Sequence, residues 1–154
     1  MEWLTDLLTN PFLLTSLSSW FVAQLLKTII HAIENKKLVL ERLVGDGGMP
    51  SGHSATVTSL CVYCGLHFGF DSFQFAVTAI LAIIVCHDAM GGRLETGKQA
   101  VVINELTKTI ELLSSKEWTQ EKLKEFVGHT PIQVLAGILL GILNAVVMYF
   151  LVMN

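Results

Sequence analysis

Charge is what this sequence has least of. Charged side chains make up 15% of its 154 residues, against roughly 25% in soluble domains. With 52% hydrophobic residues and a mean hydropathy of +0.58, that shortage excludes an ordinary water-facing surface and points to a bilayer. Basic residues are outnumbered ten to thirteen by acidic ones, for a net charge of −3. No basic stripe appears, so nucleic acid is excluded as a partner. The first ten residues hold Glu2, Asp6 and no Lys or Arg, whereas a cleavable signal peptide opens on a basic segment. Cysteine is limited to Cys61, Cys64 and Cys86, all inside apolar runs, which makes no disulfide framework. Cys61-Val-Tyr-Cys64 has redox-motif spacing without the strand-then-helix setting such a site needs, so the three read as small hydrophobes in packed helices. No internal repeat and no metal-ligand cluster is visible, and no metal or other cofactor is expected.

What remains is apolar run. A spanning helix needs about 20 mostly apolar residues. Four stretches supply this or nearly so: 11–32, 52–69, 72–90 and 131–152. The expected architecture is therefore an all-α integral membrane protein, one domain over 1–154, with about four transmembrane helices. Asp71 lies in a short turn, so the second and third spans form an antiparallel hairpin. The loops are 33–50 and 91–129. Within the second, Val102, Leu106, Ile110 and Leu113 recur at helical spacing across 101–113. Thr119 suits the cap of a further short helix over 120–127, ended by Gly128. Both read as amphipathic helices, either on the membrane surface or as ordinary loop helices, and Trp118 suits an interface.

The ten basic residues all fall at or after the end of the first span or after the third: Lys27, Lys36, Lys37 and Arg42, then Arg93 through Lys124. The termini and the turn at Asp71 have none. The positive-inside rule places both polar loops in the cytoplasm and both termini outside, most simply in the cell membrane.

That topology gathers the polar residues at one face. Gln24, Lys27 and His31 share one side of the first span. Ser51, Gly52 and His53 open the second, Asp88 and Arg93 close the third, and His129 opens the fourth. Gly47-Gly48-Met49-Pro50-Ser51-Gly52-His53 presents a helix N-terminus, with free N–H groups and a positive dipole end. Gly128-His129-Thr130-Pro131 repeats the design, with Thr130 as cap and Pro131 in the first turn. Two helix starts with Lys27 and Arg93 make an anion site, phosphate foremost. His67 and His87 are read as structural. Gly65/Gly69 and Gly137/Gly141 have the spacing of close helix packing.

Met49-Pro50-Ser51-Gly52-His53-Ser54-Ala55 resembles the second signature motif of the type 2 phosphatidic acid phosphatase superfamily. The run His129 to Gly141 resembles the end of its third motif. Ala23-Gln24-Leu25-Leu26-Lys27 and Asp88-Ala89-Met90-Gly91-Gly92-Arg93 are similar to the divergent branch of small membrane proteins in that superfamily. The resemblance implies that His129 attacks phosphorus, that His53 protonates the leaving oxygen, and that Ser51 and Gly52 hold phosphoryl oxygens. It matches Lys27 to the motif-one lysine and Arg93 to the motif-three arginine. The pattern is departed from in three places. Glu34-Asn35 stands where Arg-Pro is expected, Leu123 where the motif-three arginine is expected, and Gln133 where an acid would orient the nucleophile, with Asp88 a spatial substitute. The implied activity is hydrolysis of a phosphomonoester or pyrophosphate on a membrane lipid through a phosphohistidine, without metal. The alternative is a non-hydrolytic protein that binds or carries a phosphate-bearing lipid or other anion; a helical scaffold subunit would explain the spans alone. Four spans bury little surface, and a homodimer is compatible with this without being indicated.

Overall fold

The computed structural model describes residues 2–37, 39, 47–114, 123 and 128–153, and among them every regular element is a helix. In chain order these are α1 (Glu2–Leu8), α2 (Pro11–Asn35), α3 (Gly52–Phe68), α4 (Phe73–Met90), α5 (Gly92–Ser114) and α6 (Pro131–Met153). Local chemistry sets several boundaries. Asn10 caps α2 by accepting from the N–H groups of Phe12 and Leu13, and Pro11 takes the first helical position. Ser51 and Ser72 cap α3 and α4 in the same way. Gly69, at φ +93°, ends α3 in a conformation that side chains rarely adopt.

The polarity of the bundle is the reverse of a soluble core. Most of its buried positions are small or hydroxylic, among them Ala23, Ala55, Ser19, Ser51, Ser54 and Ser59. Its exposed positions are large and apolar, among them Leu17, Phe21, Ile83, Ile84, Leu139 and Leu143. In lipid, large side chains gain nothing by turning inward, and small residues let helix backbones approach. An all-α integral membrane protein follows.

Among the described residues three helical stretches are long and apolar enough to cross a bilayer: Pro11–Asn35, the run Phe73–Ile110 through α4 and α5, and Pro131–Val152. The expected second span is not among them. As α3 it has 17 residues, about 25 Å of helix. Its composition has a physical reason, since it is the inner helix, packed against α2, α4 and α6, and meets little lipid.

Pairwise contacts give the directions. Gly137 lies against Ser51 and Gly141 against Ala55, so α6 runs parallel to α3. Gln24 lies near Gly52 and Phe12 near Tyr63, so α2 runs antiparallel to it. Gly65 lies against Phe75 while Val57 packs on Cys86 and Ala89, so α4 returns antiparallel. The C-terminal ends of α2 and α4 therefore meet the N-terminal ends of α3 and α6 at one face.

Other expectations shift. The helix expected over 101–113 begins at Gly92, because hydrogen bonding continues through Gly91 despite its non-helical ψ of −96°. Position 91 is thus a bend rather than the start of a loop. Trp118 and the helix expected over 120–127 lie outside the described residues, apart from Leu123, whose N–H and C=O both pair with the Asn104 side chain. The cysteines are free, with Cys64 and Cys86 buried. Gly65 packs against the rings of Phe70 and Phe75 rather than a helix backbone.

Gly137 and Gly141 do bring backbones together. A Cβ on Gly141 would stand 2.6 Å from the Ala55 carbonyl oxygen, and one on Gly137 would stand 2.5 Å from that of Ser51. Gly141→Ala is therefore expected to cost about 1–3 kcal/mol, the usual range for overpacking. A melt of the purified protein in detergent, beside the lipid-facing control Leu139→Ala, measures this. A melting temperature no lower than the control's would mean that α3 and α6 do not approach so closely.

Candidate functional site

Backbone bonds hold the helix ends together at the shared face. Ser51 N–H donates to the Gln133 carbonyl at 2.9 Å, joining the start of α3 to the start of α6. His129 N–H donates to the Ala89 carbonyl at 2.9 Å, joining the approach to α6 to the end of α4. These bonds set where the two histidines stand. The rings of His53 and His129 lie 5.9 Å apart between centroids, inclined by 62°. His129 is 2% exposed, while His53 is half-buried. Two imidazoles at this separation are close enough to act on one bound phosphoryl group.

Gln133 has two functions. Thr130-Pro131-Ile132-Gln133 forms a capping box: Thr130 N–H donates to Gln133 Oε1 at 3.1 Å, and Gln133 N–H donates to Thr130 Oγ1 at 3.4 Å. The same Oε1 lies 3.3 Å from His129 Nδ1. An atom that accepts a backbone N–H is an oxygen, so in the neutral ring Nδ1 must carry the hydrogen that meets it. The lone pair then sits on Nε2, the orientation a nucleophile needs. An amide holds this tautomer but stabilises an imidazolium less than a carboxylate would.

The phosphate-binding candidates are placed unevenly. Ser51 is fully buried and its Oγ accepts from both the N–H and the hydroxyl of Ser54, so in this structure it acts as the cap of α3. Gly52 opens α3, with the Trp20 ring 3.4 Å and Gln24 Oε1 3.9 Å from where its Cβ would be. Lys27 and Gln24 are each 5% exposed, on one side of α2 facing this end of α3. The methylene stem of Lys27 passes Gly48, whose missing side chain would come within 3.1 Å of Cγ. Gly48, at φ +82°, thus makes room for the lysine. His31, a turn beyond Lys27, keeps its Nδ1 buried without a hydrogen-bond partner among the described residues. Asp88 is exposed on the last turn of α4, with Oδ1 near Gly92. Arg93 is the second residue of α5. His67 stands at the opposite end of the bundle among Phe12, Tyr63 and Phe68, apart from the histidine pair.

Sequence reasoning missed Trp20, which walls Gly52, and both backbone ties. Trp20 falls one turn before Gln24 on the same side of α2, and that spacing was the available signal. Among the described residues no three His, Cys, Asp or Glu side chains gather as metal ligands.

A model of the divergent PAP2 family matches residues 8–144, which takes in every candidate above. The chain is also similar to the uncharacterized membrane protein YuiD of Bacillus subtilis (strain 168), 43% identical over 158 aligned residues that cover 96% of this chain and 99% of the relative. No solved structure matches.

Proposed function

The chain belongs to the divergent PAP2 family, and on that footing we propose that it is a membrane phosphatase acting on a phosphomonoester or pyrophosphate carried by a lipid. The observation that supports this most is the His53–His129 pair, with the His129 tautomer set by Gln133. In the proposed reaction His129 Nε2 attacks phosphorus and the bond from phosphorus to the leaving oxygen breaks. Protonated His53 gives that oxygen its hydrogen. Neutral His53 then takes a proton from water as the water attacks the phosphohistidine, releasing inorganic phosphate and restoring His129. The N-terminus of α3 with Lys27 and Arg93 would hold the equatorial oxygens, where charge spreads in the transition state. No metal takes part in this scheme. The site lies on the cytoplasmic side, and the phosphate reaches it laterally while the lipid tails stay in the bilayer.

A second reading, a protein that binds or carries a phosphate-bearing lipid without hydrolysing it, draws on Gln133, an amide where an acid would favour turnover. One pair of measurements separates them. Orthovanadate, a mimic of the five-coordinate phosphoryl transition state, is expected to raise the melting temperature at millimolar concentration under either reading. Phosphate release by the purified protein over phosphatidate, other lipid phosphomonoesters and polyprenyl phosphates is expected only of a phosphatase. Stabilisation without release from any of them would favour the carrier, and neither effect would remove the anion site altogether.

A further inference from the structure

At the start of α3 an acceptor without a donor lies beside a donor without an acceptor. Gln24 is 5% exposed, yet its Oε1 receives no hydrogen bond from any of the described residues. Buried acceptors are almost always satisfied, so one that is not is a place to look for a ligand. The oxygen lies 3.9 Å from the Cβ position of Gly52, the first residue of α3. The first N–H groups of a helix have no intrahelical partner. Ser51 Oγ takes that of Ser54, and no partner for that of Gly52 occurs among the described residues. The buried stem of Lys27 follows Gln24 on the same side of α2.

The combination selects among anions. Helix N–H groups and an ammonium suit a fully ionised anion, but a carbonyl oxygen facing one is repelled. An anion that keeps one O–H satisfies all three groups. We infer that Gln24 recognises the P–OH of a singly protonated phosphate monoester, accepting its hydrogen at Oε1 while the charged oxygens meet the Gly52 N–H and Lys27. This deepens the phosphate-site reading and rests on it. Phosphodiesters and sulfate have no such hydrogen, so Gln24 becomes the residue that favours monoesters. A site built around a hydrogen bond discriminates strongly against ligands that cannot make it.

The test compares inorganic phosphate with sulfate at pH 6.5, by calorimetry on the whole protein in phosphatidylcholine nanodiscs. Wild type is expected to bind phosphate at least about tenfold tighter than sulfate, the worth of roughly one good hydrogen bond. Gln24→Met keeps length and packing but removes the acceptor, and should weaken phosphate about tenfold while leaving sulfate within about twofold. Gln24→Glu keeps an oxygen and adds charge, so it should raise the phosphate-to-sulfate ratio, because sulfate is repelled and cannot donate. A ratio unchanged in both variants would overturn the proposal, leaving Gln24 a packing residue. Equal weakening of both anions by Gln24→Met would overturn it too, since the amide would then be presenting its NH2. If wild type binds neither anion, the phosphate site itself fails, a result distinct from either. Nanodiscs with added phosphatidate identify the source. Displacement of inorganic phosphate assigns the P–OH to a lipid headgroup, and undiminished binding assigns it to free phosphate; the acceptor role of Gln24 holds in both cases.

Discussion

His129→Ala is expected to lower phosphate release by about 10³-fold or more, with the protein still folded and still inserted. Removing the nucleophile of a covalent mechanism leaves only the binding and electrostatic contributions. The bond from His129 to Ala89 is made by the backbone N–H and survives the substitution. His53→Ala should behave differently. A general acid contributes about 10²–10⁴-fold with a poor leaving group such as a lipid alkoxide, and much less with p-nitrophenyl phosphate, whose leaving group needs no proton. The variant should still form phosphohistidine from that substrate but hydrolyse it slowly, since activation of water is lost. Labelled phosphate should then accumulate on His53→Ala, in acid-labile and base-stable form, and be absent from His129→Ala. Full release by His129→Ala, or no label on either variant with wild type active, would rule out the proposed covalent path.

The outlines of this arrangement were legible because lipid imposes a simple rule on sequence. Runs of apolar residues located α2, α4 and α6 to within a few residues. The two histidines were visible for a different reason. Ser51-Gly52-His53 and His129-Thr130-Pro131 each combine a cap, a tight backbone and an imidazole, a combination that packing alone does not require. The ties that set their separation were hidden, because they are backbone bonds: Gln133 offers Ser51 a carbonyl, and Ala89 offers one to His129, as any residue could. The role of Gly48 was hidden in a related way. A glycine before a helix start suggests room for a ligand, but the neighbour is the stem of Lys27 from α2, and nothing local announces that approach. The start of α5 was missed because consecutive glycines read as a break, whereas helical hydrogen bonds bridge Gly91. Gln133 was legible as a departure from the acidic residue expected there. Its part in both the capping box and the His129 tautomer depends on one Oε1 reaching Thr130 N–H and His129 Nδ1 together, which residue type alone does not specify.

Sidedness is where the expected effect approaches all or none. A water-soluble phosphate ester added to inside-out vesicles should be hydrolysed; the same ester added to sealed right-side-out vesicles should not. First, α3 and α6 run parallel and their N-terminal ends are tied through Ser51 and Gln133, so His53 and His129 stand at one depth and no tilting of helices can divide them between faces. Second, the charge distribution says which face. Lys27 is buried in the bundle and is a candidate for the site, so it should not be counted as a loop charge, and Arg93 is set aside for the same reason. Eight of the ten basic residues remain. All eight follow α2 or α4 and precede α3 or α6, and none lies beyond the opposite ends of these helices. The positive-inside rule counts such charges in short loops, and here the bias is complete without the residues that function would explain. Permeabilising right-side-out vesicles should restore activity to the inside-out level, which separates a sided site from an inactive preparation. Hydrolysis in sealed right-side-out vesicles, with sealing verified by a trapped dye, would mean that either the orientation or the assignment of the histidine pair as the site is wrong. Cysteine labelling at positions 71 and 115 with an impermeant reagent would then decide between them. Access at 71 alone would keep the orientation and discard the site, and access at 115 alone would invert the protein and keep the histidines.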